Sequence, residues 1–186
     1  MPFLTFYTPT YRRPKLLADC VASVQRQSDS DWQHLIIPDE VGIGIGGMFA
    51  AVKLNVGQIH GKYVYFLQDD DIIVDQDFVA GLKEFTKDNN YPPVVIVRNI
   101  KGPLNLPDIW QARPERGHID LGSYVTRMDI FAMHADKFLP TYDGDFEFIR
   151  ALWDLGYEFA WWDRLVARAQ QWGFGRPEYE VVNAQA

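Results

Sequence analysis

The sequence predicts an α/β fold, a mainly parallel sheet flanked by helices, in a single domain spanning residues 1–186. Three observations predict it. Short apolar runs alternate with amphipathic stretches in a βαβαβαβ order along the first half. No internal repeat or low-complexity linker interrupts the chain, and 186 residues is the length of one domain. The composition is 47% hydrophobic, enough for a substantial core.

Each element follows from its pattern. FLTFYT (3–8) reads as a buried strand. RPKLLADCVASVQRQ (13–27) has the three-and-four apolar spacing of a helix, with Pro14 suited to its first turn. Cys20 is the only cysteine. It shares an apolar helix face with Leu16, Leu17, Val21 and Val24, which predicts a buried structural thiol. A lone cysteine also excludes a disulfide framework and a zinc cluster. WQHLIIP (32–38) is a second strand, GGMFAAVKLNVGQIH (46–60) a helix weakened by Gly57, and KYVYFLQ (62–68) a third strand. DQDFVAGLKEFTKDNN (75–90) is a helix opened by Asp75 and closed by its asparagines, and PPVVIVRNI (92–100) is a fourth strand.

The second half is less regular. NIKGPLNLPDIWQARPERGH carries three prolines and reads as a long ordered loop or a flap over a site. YVTRMDIFAM reads as a strand leading into a short helix. DGDFEFIRALWDLG is an amphipathic helix with Phe146, Ile149, Leu152 and Trp153 on one face, and YEFAWWDRLVARA begins as a strand.

The net charge of −7 argues against a general nucleic-acid binder. Seven arginines after residue 112 (Arg113, Arg116, Arg127, Arg150, Arg164, Arg168 and Arg176) read as solvated surface and still leave a local basic face open. No apolar run reaches the roughly 18 residues that cross a bilayer. The start MPFLTFYTPT lacks a basic n-region and a cleavage site. The expectation is a soluble, cytoplasmic protein.

Ligands of open parallel sheets bind beyond the carboxyl ends of the strands. Three groups fall there: Thr8 to Arg13, Asp39 with Glu40, and Asp69 to Asp71. The three adjacent aspartates repel one another, by about 1 kcal/mol per pair at 4–6 Å in a water-like dielectric. Carboxylates clustered at a strand end suit a hard cation, Mg²⁺ or Mn²⁺; the bland alternative is a polar loop with helix-capping aspartates.

GIGIGG fits the glycine pattern of a dinucleotide site through Gly42, Gly44 and Gly47. It follows the second strand, PDEV separates it from that strand, and the acidic residue due about 20 positions later is misplaced, so a flexible loop contacting substrate is the better reading. Asp143, Asp145 and Glu147 stand at a helix start, where a carboxylate is either a cap or a rigidly held general base. His34, His60, His118 and His134 show no metal spacing.

Taken in order, FYTPTYRR, the LLADCVASVQRQS helix with DWQHLII, Asp39-Glu40, GKYVYFLQDDD and GDFEFIRALWDLGYEF resemble the glycosyltransferase family 2-like proteins. The likeness spans roughly residues 3 to 168. It implies a GT-A-like, single Rossmann-type domain that moves a sugar from a nucleoside-diphosphate sugar, most often a UDP-sugar, to an acceptor hydroxyl with inversion. By the same resemblance Thr8, Pro9, Tyr11 and Arg12 line the nucleotide pocket and Asp39 holds the base. Asp69 and Asp70 hold ribose and diphosphate, Asp70 or Asp71 ligates Mn²⁺ or Mg²⁺, and Asp145 is the catalytic base. Gln68 and Gly144 depart from the family pattern, Lys53 and Asn55 sit two residues out of register with it, and no late histidine is present for the metal. A glycan, a lipid carrier, a protein or a hydroxymethylated DNA base all remain open as acceptor. The rival expectations are a sugar-nucleotide nucleotidyltransferase, although TPTYRRPK has no glycines, and a non-catalytic nucleotide- or sugar-binding module.

Overall fold

A computed structural model describes residues 1–170. Residues 171–186 of the expected domain, with Arg176, lie outside the described residues. The elements are β1 (Leu4–Thr10), α1 (Pro14–Gln25), β2 (Trp32–Pro38), α2 (Gly44–Asn55), β3 (Tyr63–Phe66), β4 (Asp71–Ile73), α3 (Phe78–Asp88), β5 (Val94–Lys101), β6 (Leu104–Leu106), β7 (Tyr124–Arg127), α4 (Met128–His134), α5 (Gly144–Asp154) and β8 (Phe159–Ala169).

They form one sheet in the order β2-β1-β3-β7-β5-β8-β4, with β6 paired to β5. Among the described residues β1, β2, β3, β5 and β8 run one way and the short β4, β6 and β7 run against them. The sheet is the mainly parallel one expected, with β7 inserted antiparallel between β3 and β5. The carboxyl ends of the five aligned strands and the start of β7 therefore share one edge.

Alternation along the strands divides the core. Phe6, Tyr63, Tyr65, Leu67, Val95 and Val97 point to one face, against Cys20 and Val24 of α1 and Phe78, Val79 and Leu82 of α3. Tyr7, Val64, Phe66, Val94 and Ile96 point to the other, against Phe49 and Val52 of α2, Ile130 and Phe131 of α4, and Phe148, Ile149 and Leu152 of α5. These strands are buried on both faces, which is why they read as unbroken apolar runs. Cys20 is fully buried, as expected, and burial pushes its thiol up to about 12.

Some expectations change. Asp75 opens the turn into α3 from two residues before its N-cap, Asp77: its Oδ1 accepts the Asp77 amide at 3.1 Å and Arg164 Nη2 at 2.8 Å, and the helix begins at Phe78. Gln27 clamps that helix start, donating to the Asp75 carbonyl (2.7 Å) and accepting from the Val79 amide (3.0 Å). The core side of α5 centres on Phe148, Ile149 and Leu152, while Phe146 and Trp153 flank it half-buried.

The proline-rich stretch is an ordered loop that opens with β6, whose residues pair with Asn99–Lys101. It is pinned at several points. Arg98 lies 3.8 Å over the Trp110 ring and donates to the Pro107 carbonyl at 2.5 Å, and Arg150 donates to the Pro114 carbonyl at 2.7 Å. Arg113 forks onto Asp154, and Arg116 reaches Asp143 and Glu147, each at 3.2 Å.

Phe148 carries the tightest aromatic contact of the core. It is fully buried, stacked at 4.1 Å on Phe138 and edge-on to Phe131 at 5.9 Å. Phe148→Ala is expected to cost about 3–5 kcal/mol in urea denaturation, whereas Leu155→Ala on the exposed end of the same helix should change stability by less than about 0.5 kcal/mol.

Candidate functional site

The three loop groups singled out in the sequence meet at the carboxyl edge of the sheet. The chain moves from β1 outward to β2 and then back to β3 on the other side of β1, so β1 and β3 flank a topological switch point. The Asp39 amide donates to the Thr10 carbonyl at 2.8 Å, and the Thr10 hydroxyl donates to Asp69 at 2.7 Å. Asp69, Asp70 and Asp71 occupy the turn between β3 and β4, closed by the Asp71 amide on the Gln68 carbonyl at 3.0 Å.

Each of the three aspartates faces a different environment. Asp69 accepts from Thr10 on one oxygen and from Arg13 Nη1 on the other, both at 2.7 Å. Asp70 Oδ2 lies 3.1 Å from the same guanidinium, while its Oδ1 is buried with no partner among the described residues. Asp71 is 1% exposed, and Lys101 of β5 holds both its oxygens, at 2.6 and 2.7 Å. Lys101 also donates to Gln68 at 3.2 Å and stands 3.8 Å from Asp120.

Burial raises the Asp71 carboxyl to about 7 against the pull of Lys101, with Asp70 and Asp120 adding to the rise. Burial likewise raises Asp69, partly offset by Arg13 and the Thr10 hydroxyl. Two cations, buried Arg13 and half-buried Lys101, are thus interleaved with the carboxylates, which relieves the repulsion evident in the sequence.

Of the nucleotide-pocket candidates, Tyr11 and Asp39 shape the loop before α2. Asp39 accepts the amides of Val41 (3.0 Å), Gly42 (2.7 Å) and Ile43 (2.7 Å), so the anion position at the start of α2 is filled by the chain's own carboxylate. That accounts for GIGIGG without a dinucleotide. Gly42 has φ +79° and passes the Tyr11 ring so closely that a Cβ would come within 2.7 Å of it. Thr8 is fully buried, its hydroxyl bonded to His34 at 2.9 Å. Burial lowers that histidine to about 4. Pro9 is half-buried in β1, opposite Ile37. Arg12 is exposed at φ +52°, its guanidinium 5.1 Å from the Tyr11 ring. Its neighbour Arg13 is the one folded inward onto the aspartates.

Asp145 sits in the first turn of α5 and is half-buried. Asp143, at the N-cap, makes no side-chain capping bond, and Asp143 and Glu147 pair with Arg116. Asp145 accepts the adjacent Phe146 amide, at 2.8 Å. Its carboxyl is raised to about 7 by burial, with smaller contributions from Asp120 and Asp143.

Lys101, Asn99 and Asp120 were not anticipated, and Arg13 only as a member of the Thr8–Arg13 group. Asp120 precedes β7 and is held by Asn99 Nδ2 at 3.0 Å and by the Ser123 hydroxyl. The D-x-x-S spacing of Asp120 and Ser123 is a turn-opening signal that marked the place but not its neighbours.

Donor chemistry tests the metal expectation. Among the described residues no three His, Cys, Asp or Glu side chains converge as a ligand set. Asp70, with one buried oxygen lacking a partner, fits a cation that takes its remaining ligands from water and phosphate. Asp71, with both oxygens on Lys101, does not fit in this arrangement. A broad concavity of about 960 Å³ lies at the opposite end of the sheet, among Pro2, Ile59, Lys62, Tyr91 and Met128, away from all of these groups.

No protein-family model matches the sequence, and no curated protein resembles it significantly. Solved structures do. Residues 1–349 of S. aureus TarS in complex with UDP superpose with a TM-score of 0.68 at 14% identity, over 91% of this chain and 60% of that one. The same TarS fragment in complex with UDP-GlcNAc gives 0.66 at 14% identity, over 94% and 60%. A197 from STIV gives 0.55 at 15% identity, over 87% and 82%. The chain thus spans about 60% of the TarS fragment's length. The shared feature is the fold, a GT-A-like Rossmann-type domain. Among the described residues no helix is long and apolar enough to cross a membrane.

Two outcomes follow. In the folded protein Asp145 holds its proton up to about pH 7, against an ordinary value of 3.8, so its contribution to stability is full below about pH 4 and lost as pH rises through 7. Asp145→Asn should therefore melt like wild type below about pH 4 and be more stable at pH 8, by about 1–3 kcal/mol after allowance for partial exposure. Lys101→Met leaves Asp71 buried without its cation and should cost about 3–5 kcal/mol at pH 8, most of it recovered by Lys101→Met with Asp71→Asn.

Proposed function

We propose that this protein transfers a glycosyl group from a nucleoside-diphosphate sugar, a UDP-sugar by preference, to an acceptor hydroxyl, with inversion at the anomeric carbon. The observation that carries the reading is the strand-end turn Asp69–Asp71, where a buried Asp70 oxygen lacks a partner. The likeness in fold to TarS, captured with UDP and with UDP-GlcNAc, supports a uridine nucleotide as the ligand.

The residues divide the work. Asp70 would hold a Mn²⁺ or Mg²⁺ ion, which supplies Lewis-acid neutralisation of the departing nucleoside diphosphate. Arg13 fixes Asp69 and Asp70, and Lys101 keeps Asp71 ion-paired beneath them. The Tyr11 ring over Gly42, with Asp39 behind it, forms a wall for the nucleoside. Asp145, with its carboxyl raised to about 7, takes the proton from the acceptor hydroxyl as that oxygen attacks the anomeric carbon. Holding donor and acceptor together beside it supplies a further part of the rate.

The arginines bear on the acceptor. Arg113, Arg116, Arg127, Arg150 and Arg164 are each paired with a carboxylate, so their charge is locally neutralised. This favours a neutral acceptor, such as a glycan or a hydroxyl-bearing side chain, over a nucleic acid.

Calorimetry should find UDP binding that weakens in EDTA and returns with MnCl₂. Asp70→Asn should remove the Mn²⁺-dependent part. Asp145→Asn should bind UDP as wild type does but turn over UDP-sugar about 10²–10⁴-fold more slowly. UDP binding indifferent to both EDTA and Asp70→Asn would sink the metal assignment, and wild-type turnover by Asp145→Asn would sink the base.

A further inference from the structure

Asp120 lies between the two working parts of the edge. Lys101 Nζ spans from Asp71 (2.6 Å) to Asp120 (3.8 Å), so Asp120 is next to the acidic turn. The 3₁₀ turn Leu121–Ser123 leads directly into Tyr124, whose hydroxyl donates to the Asp145 carbonyl at 3.1 Å, so Asp120 is also next to the start of α5. Its charge contributes to the raised carboxyls on both sides, Asp71 and Asp145.

The side chain is fixed more firmly than a turn requires. Oδ2 accepts from Asn99 Nδ2 at 3.0 Å, Oδ1 accepts from the Ser123 hydroxyl, and the Asp120 amide donates back to Ser123 Oγ at 3.4 Å. Asn99 is fully buried, and Gly122 passes its side-chain amide so closely that no Cβ would fit there. Even so, Asp120 keeps 20% of its side chain exposed. An ionised carboxylate has about four acceptor sites, and three are used here, by Asn99 Nδ2, the Ser123 hydroxyl and the Ser123 amide. A rigid group that can only accept hydrogen bonds, with acceptor capacity left over, is suited to sugar hydroxyls, which donate.

We propose that Asp120 reads the ring hydroxyls of the donor's sugar, acting as a specificity-determining contact between the diphosphate end at Asp70 and the reacting end at Asp145. This rests on the glycosyl-transfer reading above. In that arrangement the nucleotide is held by the β1–α1 and β3–β4 turns, and Asp120 touches only what lies beyond the diphosphate. It therefore predicts a separation that a purely structural Asp120 would not produce: affinity for the sugar part changes while affinity for the nucleotide part does not.

The test compares binding of UDP with that of UDP-glucose, UDP-galactose and UDP-GlcNAc by calorimetry in MnCl₂, for wild type and Asp120→Asn. Asparagine preserves the shape and the capping capacity of position 120. Wild type should bind at least one UDP-sugar more tightly than UDP. Asp120→Asn should bind UDP within about twofold of wild type and lose about 10- to 100-fold for that sugar nucleotide, with the melting temperature nearly unchanged. Ser123→Ala, which removes one orienting donor, should show a smaller loss of the same selective kind, and it carries the test if Asp120→Asn does not fold. Equal losses for UDP and UDP-sugar, no loss at all, or a wild type that binds no UDP-sugar better than UDP would each overturn the proposal. A wild type that binds neither UDP nor UDP-sugars would overturn the glycosyl-transfer reading, and the role of Asp120 with it.

Discussion

Three consecutive carboxylates at the end of a buried strand are the constraint to which the rest of this edge answers. At the 4–6 Å spacing of neighbouring side chains, each ionised pair repels by about 1 kcal/mol in water and about 3–4 kcal/mol at the effective dielectric of a protein site. The fold separates them by giving each a different direction: Asp69 toward Thr10 and Arg13, Asp70 beside the same guanidinium, and Asp71 down onto Lys101. Arg13 comes from the start of α1 and Lys101 from the end of β5. Two cations from distant parts of the sequence therefore become the fixed counter-charges of one turn.

That solution is deliberately incomplete in charge. Arg13 and Lys101 face Asp69, Asp70, Asp71 and Asp120, with Asp145 near. The excess is negative, and the unpartnered Asp70 oxygen is where it is least answered. In the proposed reading this is where a cation, with an anionic ligand behind it, would bind. Burial keeps the Asp145 proton on to higher pH, and Asp120 adds to that rise as it does at Asp71. Asp120 thus lies between the two raised carboxyls.

The sequence made the parallel half of the fold legible because β1, β2, β3 and β5 are continuous apolar runs separated by helices with clear three-and-four spacing. It concealed β4 and β6, which have three residues each and begin beside an acidic turn and a Gly-Pro pair. It also concealed that β7 enters the sheet antiparallel between β3 and β5, since strand order leaves no local pattern. The acidic turn and Asp145 could be read from type and position. Lys101 and Asp120 could not, because their importance arises only when β5 and the start of β7 are brought beside β3. Arg12 and Arg13 are adjacent and chemically identical. Only the left-handed backbone at Arg12 decides which of them turns inward.

The chain spans about 60% of the TarS fragment it resembles in fold, yet the candidate nucleotide wall, acidic turn and base all fall within residues 8–145. The economy comes from the topology. Five aligned strands and one opposed strand bring β1, β2, β3, β5 and the start of β7 to the same edge, so short connections suffice to carry the polar groups. The long connection that remains, between β6 and β7, is spent on holding α5: Arg113, Arg116 and the Pro114 carbonyl grip Asp154, the Asp143–Glu147 turn and Arg150. A base at a helix start is useful only if that helix cannot shift, and the loop ties the helix down at both ends, one turn from Asp145 at the nearer end.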